Sequence, residues 1–419
     1  MKQKLPPSLK LRRTGLLLAV LAIWPVGSAL QGAAADLPSD APSVEHALNR
    51  LTFGPRPGDV ERVQRRGLAA WIDEQLHPER LPEPTLDDPE PRPASFGSQQ
   101  EARQWGRQQI QALSASKLTR AVMSERQLEE VLVDFWFNHF NVFAGKQRTS
   151  LFVTEYEEEA IRPHVLGRFR DLLGATAKSP AMLIYLDNRQ STVRGLNENY
   201  GRELMELHTL GVDAGYTQAD VTEVARAFTG WTIDPRNQSF RFVPRQHDEG
   251  TKKVLGQSLS GRGMAEGERV LDMLAAHPAT ARHIARKLAQ RFIADDPPAA
   301  VVNAAAARFT QTGGDLREVV RTIITSPEFF AADARGAKVK TPLEFVVSAL
   351  RAMDVKTFQP QRWMRALQQL GMPLYMCQPP TGYDVTAESW VSSGALVNRM
   401  NVALTIGDRK YGLPEFQRR

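Results

Sequence analysis

Apolar residues recur at helical spacing along most of the chain, and the runs open on recognisable start signals. Thr217-Gln218-Ala219-Asp220 reads as a capping box, with a hydroxyl to accept from the third helical N–H and a carboxylate to reach back. Val221, Val224, Ala225 and Phe228 then share one face, and Gly230 ends the run. Thr341-Pro342-Leu343-Glu344 repeats the signal with proline at the first helical position, where a missing N–H is harmless. Ser179-Pro180 and Ser326-Pro327 use the same junction, each after an amphipathic run (169–177 and 316–325). Strand-like sequence is confined to 231–233, 240–243 and 253–255, with turn residues between. The pattern predicts a mainly α protein: a large multi-helix domain with a small inserted β-hairpin near 231–256.

Two stretches depart from this pattern. Six prolines between Pro78 and Pro93 preclude a stable helix, so 78–100 is expected to be a loop or linker after an N-terminal helical segment over 36–77. The main helical domain is then expected over 101–410, with a tail over 411–419. At the start, Lys2, Lys4, Lys10, Arg12 and Arg13 precede an apolar run from Leu16 to Trp24. Pro25, Gly27 and finally Ala33-Ala34-Ala35 follow. This order of charge, apolar core and small residues is that of a secretory signal peptide over 1–35. The apolar run is shorter than the ~20 residues that span a bilayer. Gly15 stands where a twin-arginine signal carries a bulky apolar residue, so the general secretory route is expected. The expected location is the periplasm or cell surface, with no membrane span once the leader is cleaved.

The leader changes the charge balance. The whole chain is +6, but the leader holds five basic residues and no acidic one, which leaves +1 from Asp36 onward. The remaining arginines are interleaved with carboxylates instead of forming the basic stripe that phosphates require. No nucleic-acid partner is expected. The single cysteine, Cys377, excludes an intramolecular disulfide and any multi-cysteine metal site.

The densest polar cluster is Asn197 to His208. At about 100° per residue, Asn199, Arg202, Glu203 and Glu206 share one face of a regular helix. Two carboxylates one turn apart beside a guanidinium suit general acid and base roles, because the arginine lowers one pKa more than the other. The same spacing also describes a solvated ion-paired face. His208 falls roughly opposite Glu206 on such a helix. Asn138-His139, within an aromatic run, reads either as a buried, satisfied pair or as part of a site. Asp187-Asn188 closes an apolar run and suits capping, or presents an acceptor to a pocket. His247-Asp248, in a loop, has ligand chemistry. His283 reads as solvent-facing, and His277-Pro278 as a helix start. There is no His-Glu-x-x-His run, phosphate-binding glycine loop, Gly-x-Ser-x-Gly elbow or dinucleotide fingerprint.

Several of these stretches resemble the bacterial family called domain of unknown function 1800. The matching segments are 46–54, 135–140, 181–188, 197–211, 229–232, 247–248, 278–282 and 340–342, and the resemblance extends over nearly the whole mature chain. Asn197 to Gly211 is the most specific. Lys178-Ser179-Pro180 departs from the family, which places His before that proline, so no histidine role carries over there. The resemblance implies an exported, largely helical protein without an assigned reaction. It also implies a neighbour in the sulfatase-like family called domain of unknown function 1501, as partner or pathway companion.

Two functions follow as expectations. One is an envelope hydrolase or lyase acting on a surface glycan or polymer. Glu203 and Glu206 would be its acid/base pair, Arg202 would tune them, and Asn138, His139 and Asp187 would complete the pocket. Trp136, Trp231, Tyr383 and Trp390 would offer sugar-stacking faces. A divalent-metal version, zinc or manganese, would use His208, His247 and Asp248, or recruit His139. The other function is a non-catalytic helical binding or assembly partner of the sulfatase-like protein.

Overall fold

The capping signals mark real helix starts. Thr217 opens Gln218–Ala227 and Thr341 opens Pro342–Ala352, each with both halves of the capping box formed. Ser179 and Ser326 accept from backbone N–H groups of the helices they precede. The computed structural model describes residues 37–84, 86, 90–259 and 262–407. The leader expected over 1–35 and the tail over 411–419 lie outside the described residues. Among the described residues no helix is long and apolar enough to cross a membrane.

The fold is mainly α with small β-hairpins. Helix Gln127–His139 runs through the core. It buries Val131, Leu132 and Trp136, and the Trp136 indole N–H donates to the Val165 carbonyl at 3.2 Å. Phe140 and Phe169 stack beside that indole, and Phe169 meets Phe309 of helix Ala299–Gln311. Helices Pro278–Phe292, Ala299–Gln311 and Leu316–Ile324 pack successively against one another. The N-terminal segment (helices Ala41–Leu51, Asp59–Arg66 and Leu68–Gln75) is built into this body. Arg50 donates to the Phe292 carbonyl, and Arg351 ties Gly54 to Val122. Among the described residues of the Pro-rich stretch there is one short 3-10 turn, Pro78–Arg80, before helix Gln99–Met123 begins.

The inserted β region differs from the single hairpin expected. Trp231–Ile233 pairs antiparallel with Phe240–Phe242, while Lys253–Val254 pairs with Gln257–Ser258 in a separate sheet. The second hairpin turns through Leu255 (φ 50°) and Gly256 (φ 79°), the left-handed pair that a two-residue loop needs. A leucine in that position conceals the turn from sequence reading, since asparagine or glycine normally announces it. Trp136 and Trp231 are wholly buried and Trp390 nearly so. These three rings are core residues, not sugar platforms.

Candidate functional site

A cavity of about 420 Å³ opens where helix Gln127–His139, helix Pro278–Phe292 and the loop over 381–386 converge. Asn138, His139, Lys287, Arg291, Glu344 and Asp384 are in its wall. The loop is fastened by Asn138, whose amide donates to the Tyr383 carbonyl (2.8 Å) and accepts from the Tyr383 N–H (2.7 Å). Gly382 permits this approach. A Cβ there would lie 2.3 Å from the Asn138 carbonyl oxygen, on a backbone with φ of 74°. Gly382→Ala is therefore expected to cost about 2 kcal/mol or more, read as a lower unfolding midpoint. An unchanged midpoint would show that the loop is not held this way.

His139 sits against Trp136 and Phe140, with ring centroids 5.4 and 4.6 Å away. Its Nε2 is 3.2 Å from the His208 carbonyl, so Nε2 carries the proton and Nδ1 keeps its lone pair. Burial holds its pKa well below 6.5, and the neighbouring His283, His208 and Lys287 add to the effect. His283 is not solvent-facing as its sequence context suggests. It is partly buried, donates from Nε2 to the Leu207 carbonyl, and is held at about 4 by burial and Lys287.

Both accepting carbonyls belong to an irregular turn. Helix Asn199–Glu203 continues as a π-helical segment, Leu204–Thr209, in which the Leu210 N–H reaches back to the Met205 carbonyl. The last carbonyls of such a segment lack helical partners, and two imidazoles supply them here. The regular helix assumed for 197–208 is thus corrected to one with a π turn, a feature frequent at functional sites. His208 points inward, with Nε2 buried and unpartnered and its pKa pushed down to about 3 by burial and His283.

Lys287 faces the same cavity. It makes no hydrogen bond or ion pair with the described residues. Burial lowers its pKa, and Asp384 offsets only part of that cost. Asp384 is held by the Thr386 and Ser389 hydroxyls and makes no ion pair, while the remaining charges in the wall are paired. Arg291 holds Glu344 at 2.9 Å, Lys117 holds Asp134 at 3.1 Å, and Lys338 binds Asp295 and the Val385 carbonyl. Lys287 is the one cation left without a counter-charge among these.

The remaining expected site residues lie elsewhere. Glu203, Glu206, Arg202 and Asp187 are not in the cavity wall. Arg202 joins Glu198 (3.6 Å) and Glu206 (3.5 Å) on a partly exposed face. Glu203 is half-buried, and its pKa is raised by burial and then by Glu206. Asp187 does not cap the turn it precedes; it pairs with Lys146 at 2.7 Å. His247 is enclosed between Thr229 and Glu266, and Glu266 also binds Lys252. Asp248 is gripped by both branches of Arg226, which with burial opposing holds it at about 2. The triad His208, His247 and Asp248 is therefore not assembled. Among the described residues no group of three or more His, Cys, Asp or Glu is placed to hold a metal ion.

A family model described as a protein of unknown function (DUF1800) matches residues 46–417. The chain belongs to the DUF1800 family. No curated protein and no solved structure matches it. The matched span contains the π turn whose carbonyls orient His139 and His283. His283 and Lys287 escape sequence analysis, although their i, i+4 spacing on one helix is a legible sign that they share a face.

Proposed function

We propose that this protein is an exported envelope enzyme that cleaves an anionic glycan or related polymer by elimination at the His139–Lys287 cavity. The observation that carries the reading is the meeting there of an unpaired, half-buried ammonium and a neutral imidazole with a free Nδ1. A hydrolase of the usual kind needs two available carboxylates flanking the bond. The cavity carboxylates are instead held by Lys117, Arg291 or the Ser389 and Thr386 hydroxyls.

A uronate suits the groups that remain. Lys287 neutralises the substrate carboxylate and so acidifies the adjacent C–H. His139 Nδ1 takes that proton, the C–O bond one carbon further breaks, a C=C bond forms, and the departing oxygen is protonated by water. The arriving carboxylate also raises the proton affinity of His139. The sulfatase-like neighbour fits this reading as a companion acting on the same polymer.

The test is release of unsaturated uronate, followed by its ultraviolet absorbance, from a panel of uronate polymers. The wild type is expected to produce it. His139→Gln should lower the rate by 10²-fold or more, on the order of general-base loss, while Glu203→Gln keeps it. No unsaturated product from the wild type would refute the elimination reading and leave the binding-partner one, and full activity in His139→Gln would remove His139 as the base.

A further inference from the structure

A second concave region lies at the hairpin Trp231–Phe242 and the loop over 94–98. Two cavities, of about 490 and 260 Å³, share Gln147, Arg148, Pro235 and Gln238 in their walls and so form one continuous groove. Four arginines line it: Arg103, Arg148, Arg189 and Arg236. Arg189 donates to the Gln147 amide oxygen at 3.0 Å. The guanidinium groups of the other three make no hydrogen bond or ion pair among the described residues, although Arg236 lies near enough to Asp234 to help lower its pKa. Asp234 is the one carboxylate in the two walls among those residues, and it is bound to Arg241 at 3.2 Å. The groove therefore carries a strong uncompensated positive charge on a chain whose overall balance outside the leader is close to neutral.

Its other surfaces narrow the ligand class. Phe96 presents a partly exposed apolar face in one cavity, whereas Phe152 and Ile184 behind the other are buried. Gln147, Gln238, Ser95 and Ser98 intersperse amide and hydroxyl groups among the guanidinium groups. Charged forks for oxyanions, neutral hydrogen-bonding groups for hydroxyls and an apolar face for a ring edge suit an acidic sugar chain. We propose that this groove is a binding site for an anionic polysaccharide strand, bearing carboxylate or sulfate groups, separate from the His139 cavity. The ligand class is that of the proposed reaction, but binding here does not require the cavity to be catalytic.

Calorimetry on the His139→Gln chain separates the two claims, because the polymer is not consumed. Polygalacturonate and dextran sulfate serve as the carboxylate and sulfate probes, and plain dextran as the neutral one. Binding of at least one anionic probe but not of dextran is expected, weakening as salt rises. Arg148→Gln/Arg236→Gln should weaken it at least about tenfold, since each removes a charge-assisted contact. Both positions are exposed, so the fold should persist. Unchanged affinity in the double variant, no binding of either anionic polymer, equal binding of dextran, or tighter binding of a single-stranded oligonucleotide would each overturn the proposal.

Discussion

Lys287→Met should abolish turnover of an anionic substrate while making the protein more stable. The two effects share one cause. The native ammonium is partly desolvated and no carboxylate is paired with it, so the empty site bears a cost that methionine relieves. Methionine fills similar volume along the same stem, and the gain should be about 0.5–2 kcal/mol, the range seen when a functional strain is removed. The loss of function should be large, because in the proposed elimination the ammonium acidifies the C–H and holds the substrate carboxylate beside His139. A rate lowered by about 10³-fold or more corresponds to roughly 4 kcal/mol of lost transition-state stabilisation. Chemical denaturation and the elimination assay, run on the same preparation, check both halves. Lower stability would mean that Lys287 has a native partner and is structural. A retained rate would remove it from the reaction.

Acidification from pH 6.5 to 4 should destabilise the protein through its buried histidines. His46 and His283 are held near 4 and His208 near 3, in each case first by burial, and His139 lies well below its ordinary value. In the unfolded chain these rings titrate near 6.5. Above that pH both states are neutral and the shifts contribute nothing. As the pH falls below 6.5 the unfolded chain binds protons that these native rings refuse, so their contribution to stability is lost down to the native values. Glu129, raised to about 7 by burial and then Glu130, protonates first in the native state and offsets part of that loss. Discounted for partial exposure, the loss is on the order of 5 kcal/mol by pH 4, comparable to the whole stability of many domains. Asp248, held at about 2, extends the loss below pH 4. Urea titrations between pH 7 and 4 give the measurement. A flat profile would mean that these histidines are accessible in the native state. His208→Gln should reduce the slope by about one proton while preserving the fold.

The sequence was most legible where the physics is local. The capping boxes at Thr217 and Thr341 and the serine–proline junctions each mark a helix start because the cap and its target lie within three residues. The site was legible only in part. Asn138 and His139 were singled out and do line the cavity. Their counterparts Lys287 and His283 come from a helix more than a hundred residues later, and no local signal specifies that packing. Glu203 and Glu206 drew notice because carboxylates one turn apart suit acid–base chemistry, yet Glu206 belongs to a partly exposed ion-paired face with Arg202 and Glu198, the other structure such charge spacing describes. The π turn at Leu204–Thr209 shows the same limit. One extra residue per turn has no compositional signature, but it decides which carbonyls meet His139 and His283.

Direct titration of Lys287 by carbon-13 NMR, with and without galacturonate, tests the central claim most sharply; the resonance is assigned by its absence in Lys287→Met. The ammonium is expected to titrate below the ordinary lysine value of 10.5 in the free protein and to move upward when the sugar carboxylate binds. A Lys287 that titrates at its ordinary value and ignores galacturonate would contradict the account.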